Sequence, residues 1–224
     1  LRSGRPVREE LAPRLAVTAS LAAGAAVIGV AFAVPAALIV NAHPGGFVSR
    51  AIDWVSLSVL SLPVYWLGLG LILIFGVRLG WFVPEGTGRW HEYILPAIAL
   101  GAHTGAATAR VLAASISDVL GAAYVRTALG KGLSSKDAMV RHVLPNALIP
   151  AVTYFSMEIG KLFGGAVLTE SVFSLNGLGR YLVLSIAFRD YPAVVGATVI
   201  VAVGVTLANA AADALCRWLD PRAR

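Results

Sequence analysis

Glu158 and Lys161 are the residues of this sequence best placed to do chemistry, because they stand three apart inside a long apolar run. On a helix that spacing puts them on one face, where they can pair. A charge within a membrane segment costs about 3 kcal/mol on insertion scales and is tolerated where it faces an interior or a water-filled cavity. Such a pair could meet a charged solute terminus on a translocation path, or couple to an ion. It could equally neutralise itself against another helix as a structural feature. His103, Thr104 and Thr108 add polarity to a second apolar run, and Ser58 and Ser61 to a third, just ahead of Pro63. Those serines can line a polar path or satisfy carbonyls freed at the proline.

Covalent and nucleotide chemistry find no support. The Gly-Lys pairs at 130–131 and 160–161 lack a glycine five residues earlier and a Ser or Thr directly after, so neither is a P-loop. No HExxH stretch occurs, the four histidines are scattered, and Cys216 has neither a disulfide partner nor metal-ligand companions. No catalytic residue, metal or cofactor is therefore assigned to this chain, and it reads as a non-enzyme.

The elements that must position these residues are membrane helices. The 224 residues are 58% hydrophobic and 13% charged, with mean hydropathy +0.78. A soluble domain is about half apolar and about a quarter charged. The net charge of +6 is spread over loops, and no basic face alternates with aromatics, so nucleic acid is not expected as a partner. An all-α integral membrane protein follows, embedded in lipid, with spans expected at about 15–40, 54–77, 94–116, 148–169 and 193–215. Pro35 and Pro63 should kink the first two. Gly101 with Gly105, and Gly160 with Gly164, form GxxxG pairs that suit close helix packing. Residues 1–14, with four arginines and two prolines, read as a short polar segment at the membrane surface. Leu178–Phe188 is amphipathic and too short to span, and Asp190 can cap the last span with Pro192 in its first turn.

One polar island interrupts the apolar runs. Ala123–Pro150 reads AYVRTALGKGLSSKDAMVRHVLPNALIP and holds two of the three lysines, with Arg126, Arg141 and His142. Gly130 and Gly132 tolerate positive φ and should break a helix there. Ser134 stands three before Asp137, a capping-box spacing that starts another. That helix should end near Leu144, because Pro145 disfavours helix in the residue before it, and Asn146 can cap the next apolar segment. A helix–glycine–helix between two spans has the shape of a lever that an outside partner can push.

The island's spelling resembles a known family. Tyr124-Val125-Arg126-Thr127-Ala128, then Lys131-Gly132-Leu133, then Arg141-His142-Val143-Leu144-x-Asn146-Ala147-Leu148-Ile149-Pro150 are similar to the coupling loop of binding-protein-dependent ABC importer permeases, in the dipeptide/oligopeptide branch. Further likeness lies in Gly4-Arg5-Pro6-Val7, Ser61-Leu62-Pro63-Val64-Tyr65-Trp66-Leu67-Gly68, Glu170-Ser171-Val172-Phe173-Ser174 with Gly177-Leu178-Gly179-Arg180, and Leu219-Asp220-Pro221-Arg222. Ala113, Ala123 and Leu129-Gly130 depart from the family's usual charges. The resemblance implies a type I importer permease bundle. Residues 1–14 would be an extracytoplasmic lead-in, 15–224 the permease domain, 123–147 the cytosolic coupling loop, and a sixth span would lie upstream.

The resemblance further implies that Tyr124, Arg126, Ala128, Lys131, Gly132, Leu133, Asp137, Arg141, His142, Asn146 and Pro150 face separate ATPase subunits. ATP and Mg would be bound and hydrolysed there. It implies a second, related permease, an extracytoplasmic solute-binding protein, a peptide substrate and an inner (plasma) membrane location. Ser58, Ser61, His103, Thr104, Thr108, Glu158 and Lys161 remain the candidate path. Nickel chelates or other small solutes, and an ATP-independent ion-coupled transporter, are the alternatives.

Overall fold

The computed structural model describes residues 7–82 and 90–219. The Gly4-Arg5-Pro6 signature, the centre of the 78–93 loop and the Asp220-Pro221-Arg222 ending lie outside them. The described residues form helices: α1 (Val7–Ala42), α2 (Phe47–Ser61), α3 (Val64–Leu71) running on as a π-helix over Ile72–Arg78, a 3-10 turn at Trp90–Tyr93, and α4 (Ile94–Leu120). Then come α5 (Ala123–Gly130), α6 (Ser135–Ala138), a π-helical turn at Met139–Val143, α7 (Leu144–Val172), α8 (Leu178–Ala187) and α9 (Tyr191–Leu219).

α1 is 36 residues long, about 54 Å at helical rise. It passes through both Pro13 and Pro35. Residues 7–14 are thus its opening turns and not a separate surface helix. Its principal partner is α4, and the seam is built from small residues. Gly29 packs on the Gly101 carbonyl and the Gly105 backbone, and Gly101 and Gly105 pack in return on the backbones of Ala25 and Gly29. Helices in lipid gain nothing from excluding apolar surface from one another, so such close approach and its dispersion energy carry the association. At the second glycine pair the structure is more selective. Gly160 lies under the Asn209 amide of α9, Gly164 faces open space, and it is Gly165 that packs on Leu100.

The stretch expected to span at 54–77 is two helices bent by 110° at Leu62-Pro63. Leu62 is extended, as a residue before proline prefers, and Pro63 caps α3. Only α1 (as Glu9–Ala42) and α9 (as Tyr191–Ala214) are separately long and apolar enough to cross a membrane among the described residues. The bent pair Phe47–Ser61 with Val64–Arg78, and Trp90–Leu120 with Ala123–Gly130 at 60°, raise that to four. α7 has the length, at 29 residues, but Asn146, Glu158, Lys161 and Glu170 make it polar. It packs against α1, α3, α4, α8 and α9. Its carboxylates, Glu158 and Glu170, are buried against those neighbours, whereas the Lys161 side chain is largely exposed.

Candidate functional site

The island folds around two anchors. Val125 of α5 and Val143 of the π-turn are fully buried with Ala37 of α1, Leu112 and Ile116 of α4, and Ala147 and Ala151 of α7. Between them the backbone turns at Gly132, whose φ of +91° is costly for any residue with a side chain. Ser134 then caps α6: its hydroxyl accepts from the Asp137 amide at 3.1 Å and donates to the Asp137 carboxylate at 2.6 Å. Ser134→Ala should cost α6 about 1 kcal/mol, read as faster amide exchange at 135–138 with the buried anchors unaffected.

The helix does not stop at Pro145. Met139–Val143 widens into a π-turn and α7 carries straight on. Proline lacks the amide that an α-helical bond would need, and the wider turn accommodates that loss. Asn146 does not cap. Its side-chain amide donates back to the His142 carbonyl at 2.7 Å. Arg141 reaches toward Asp137 at 4.0 Å, a mostly exposed pair of little energetic weight.

Of the residues expected to meet a partner, Tyr124, Arg126, Lys131, Gly132, Asp137, Arg141 and Pro150 are exposed; Ala128, Leu133, His142 and Asn146 are half-buried. The Arg126 guanidinium donates to the Gly121 carbonyl at 2.8 Å. Ala113, where the family's usual charge is missing, offers its carbonyl to the Asn41 amide at 3.0 Å. The anchoring valines do not stand out in the sequence: Val125 precedes Arg126 and Val143 lies between His142 and Leu144.

A second feature lies midway along the bundle. A cleft of about 290 Å³ is lined by Leu60 and Val64, either side of the α2–α3 break, by Leu100, His103, Thr104 and Ala107 of α4, and by Tyr154, Glu158, Lys161, Leu162 and Gly165 of α7. It brings four candidate path residues together: His103, Thr104, Glu158 and Lys161. Glu158 and Lys161 pair at 2.5 Å, with the Glu158 side chain 11% exposed and the Lys161 side chain 71% exposed. Among the described residues, His103 Nδ1 and Thr108 Oγ1 are buried without a hydrogen-bond partner. Thr108, Ser58 and Ser61 do not line the cleft. Ser61 instead donates to the Leu57 carbonyl at 2.8 Å, the structural use of a serine near a proline break.

At the other end of α7 the Glu170 carboxylate, fully buried, closes a latch that the sequence did not reveal. One oxygen accepts from the Thr18 hydroxyl of α1 at 2.5 Å. The other accepts from the Gly179 and Arg180 amides at 2.8 and 3.1 Å, capping α8. Thr18 accepts in turn from the Leu178 amide at 2.9 Å. Gly177 is needed there, since a Cβ would overlap the carboxylate. Burial pushes the Glu170 carboxyl above the usual range, against the opposing pull of its donors. Asp190 accepts from the Ala193 amide at 3.4 Å and so caps α9, as the sequence suggested.

The chain thus carries an exposed helix–glycine–helix seated on the bundle, a charged cleft within it and a latch at its far end. The family described as "binding-protein-dependent transport system inner membrane component" matches residues 16–224. This chain belongs to that family. It is therefore a multi-pass protein of the inner membrane and a permease subunit of the ABC importer class. Permeases named "Glutathione transport system permease protein GsiC" from Escherichia coli K12 and Shigella flexneri serotype 5b are each 37% identical over 222 residues, covering 99% of this chain and 72% of theirs. The fold is that of type I importer permeases. An inward-facing MetNI methionine ABC transporter structure superposes with TM-score 0.77 at 16% identity, over 97% of this chain and 99% of that one. A second structure, described as an amino acid ABC transporter with histidines, gives 0.70 at 19% identity over 94% and 92%.

Proposed function

We propose that this permease subunit moves peptides, glutathione-sized ones among them, from an extracytoplasmic solute-binding protein into the cytoplasm, driven by ATP hydrolysed with Mg on partner subunits. The observation that carries the reading is the island's build: a solvent-exposed turn at Gly132 rigidly seated through Val125 and Val143 on α1, α4 and α7. A push on the turn is delivered to three long helices at once, which is what a coupling lever requires. The substrate class rests on the relatives named as glutathione permeases. A second, related permease would complete the path. Residues 123–147 would face the cytosol, with residues 7–14 and 170–192 outside.

The test is ATPase activity of the reconstituted complex with its binding protein loaded with a short peptide. Gly132→Pro, which cannot adopt a φ of +91°, and Arg141→Glu should each abolish stimulation by the loaded binding protein while the subunits stay assembled. Stimulation that survives both changes would make the island a passive loop and return the ion-coupled alternative.

A further inference from the structure

We propose that the cleft between α2, α4 and α7 is a docking station for the two charged termini of a short peptide, worked by exchange of the Glu158–Lys161 pair; this rests on the peptide reading above. The two partners are unequal. Glu158 is held in the protein, whereas most of Lys161 is free to solvent and can swing. The C-terminal carboxylate of an entering peptide finds the Lys161 ammonium available, and the peptide's N-terminal ammonium can replace Lys161 at Glu158. Charge-assisted bonds of this type are the strong ones. When empty, the pair neutralises itself, so the cleft holds no lone ion.

Two more observations point to a ligand. His103 Nδ1 is buried with no partner, and its residue lines the same cleft with Thr104 and Tyr154. A buried, unmade hydrogen bond is costly in a resting protein, and rotation of the ring toward the cleft would let a polar terminus make it. Leu60 and Val64, which flank the 110° break, form part of the cleft wall. The site therefore lies where α2 and α3 can reorient about Leu62-Pro63. Size sets the selectivity. At about 290 Å³ the cleft sits at the lower edge of small-molecule pockets, about 300–1,000 Å³. It holds the termini of a short peptide and leaves most side chains outside, so it would select for free termini and tolerate sequence.

The experiment uses the complete complex in proteoliposomes. Uptake of dialanine, N-acetyl-dialanine and dialanine amide is measured, each at a concentration that saturates the binding protein. The binding protein is common to every arm, so its preferences cancel in variant-to-wild-type ratios. The wild type should favour dialanine over both blocked forms. Lys161→Met should lower dialanine uptake about tenfold, the worth of one charge-assisted bond, and leave the amide unaffected. Glu158→Gln should do the same with respect to the N-acetyl form. The double variant Glu158→Gln/Lys161→Met carries no unpaired buried charge, so it guards against misfolding; it should assemble and transport all three probes alike. Wild-type discrimination in an assembled double variant would overturn the docking station and leave the peptide reading standing. A wild-type complex that moves none of the probes would overturn the peptide reading and this proposal with it.

Discussion

Gly101→Val is expected to destabilise the bundle severely, lowering its folding equilibrium constant by about two orders of magnitude. The first side-chain carbon would overlap the carbonyl oxygen of Ala25 and come within 3.1 Å of that residue's carbonyl and α carbons. Every obstructing atom belongs to backbone, so no rotamer change makes room. The α1–α4 axes must separate, and the same movement opens the Gly105–Gly29 contact one turn away, where a Cβ would sit 2.8 Å from the Gly29 oxygen. Overpacking costs about 1–3 kcal/mol where neighbours can adjust. Here they cannot, and loss of dispersion along the seam adds to it, so about 3 kcal/mol is the lower bound, equivalent to about a hundredfold. Gly164→Ala is the control: it lies in a helix with nothing within 4 Å of the added carbon, and should be neutral or stabilising by up to about 1 kcal/mol. Size-exclusion profiles and thermal unfolding of the two variants in detergent decide the point. Equal behaviour would mean that α1 and α4 are held elsewhere.

That contrast also marks how far the sequence could be read. Spacing names a small-residue face but not its partner, which is why 101–105 was legible as a packing seam while 160–164 was only half so. Gly165, which packs on Leu100, lies one residue outside the pattern. Pro145 and Pro63 both depart from expectation, and for one reason: a proline's effect depends on whether freed carbonyls find other donors. At Pro145 the π-turn and the Asn146 amide absorb the loss, so the helix continues. At Pro63 the Ser61 hydroxyl bonds only within α2, to the Leu57 carbonyl, and the chain turns by 110°. The turn also re-aims α2, leaving Ser58 and Ser61 off the cleft. The island was legible because its signals are local, a capping box and a positive-φ glycine. The cleft was legible in Glu158, Lys161, His103 and Thr104, but not in Leu60 and Val64, which reach it because the expected kink at Pro63 is a full 110° turn.

Least legible was the latch, and it supports the second strong prediction. Glu170→Ala should destabilise the protein by about 3 kcal/mol, since it strips the α8 amides of a buried acceptor and leaves Thr18 without its partner. The contacts bridge 9, 10 and 152 residues of sequence, so no local pattern could show them. Glu170→Gln is a different case. A glutamine oxygen can accept from Gly179 and Arg180 while its amide donates to Thr18, whose own proton can turn to the Arg14 carbonyl at 3.2 Å. Glutamine thus mimics the protonated acid, and the latch is satisfied in that neutral state. Burial raises the carboxyl in the folded protein, so between the unfolded and folded pKa values the native state binds more proton than the unfolded one. Stability must then be fully present below the ordinary glutamate range and fall as pH rises from that range through the raised folded value. Unfolding in detergent from acid to neutral pH should show this slope in the wild type, with Glu170→Gln removing it at little cost and Glu170→Ala removing both slope and stability. A Gln variant with the wild-type slope would assign the titration to another group, and an Ala variant as stable as wild type would leave α8 held by its apolar face alone.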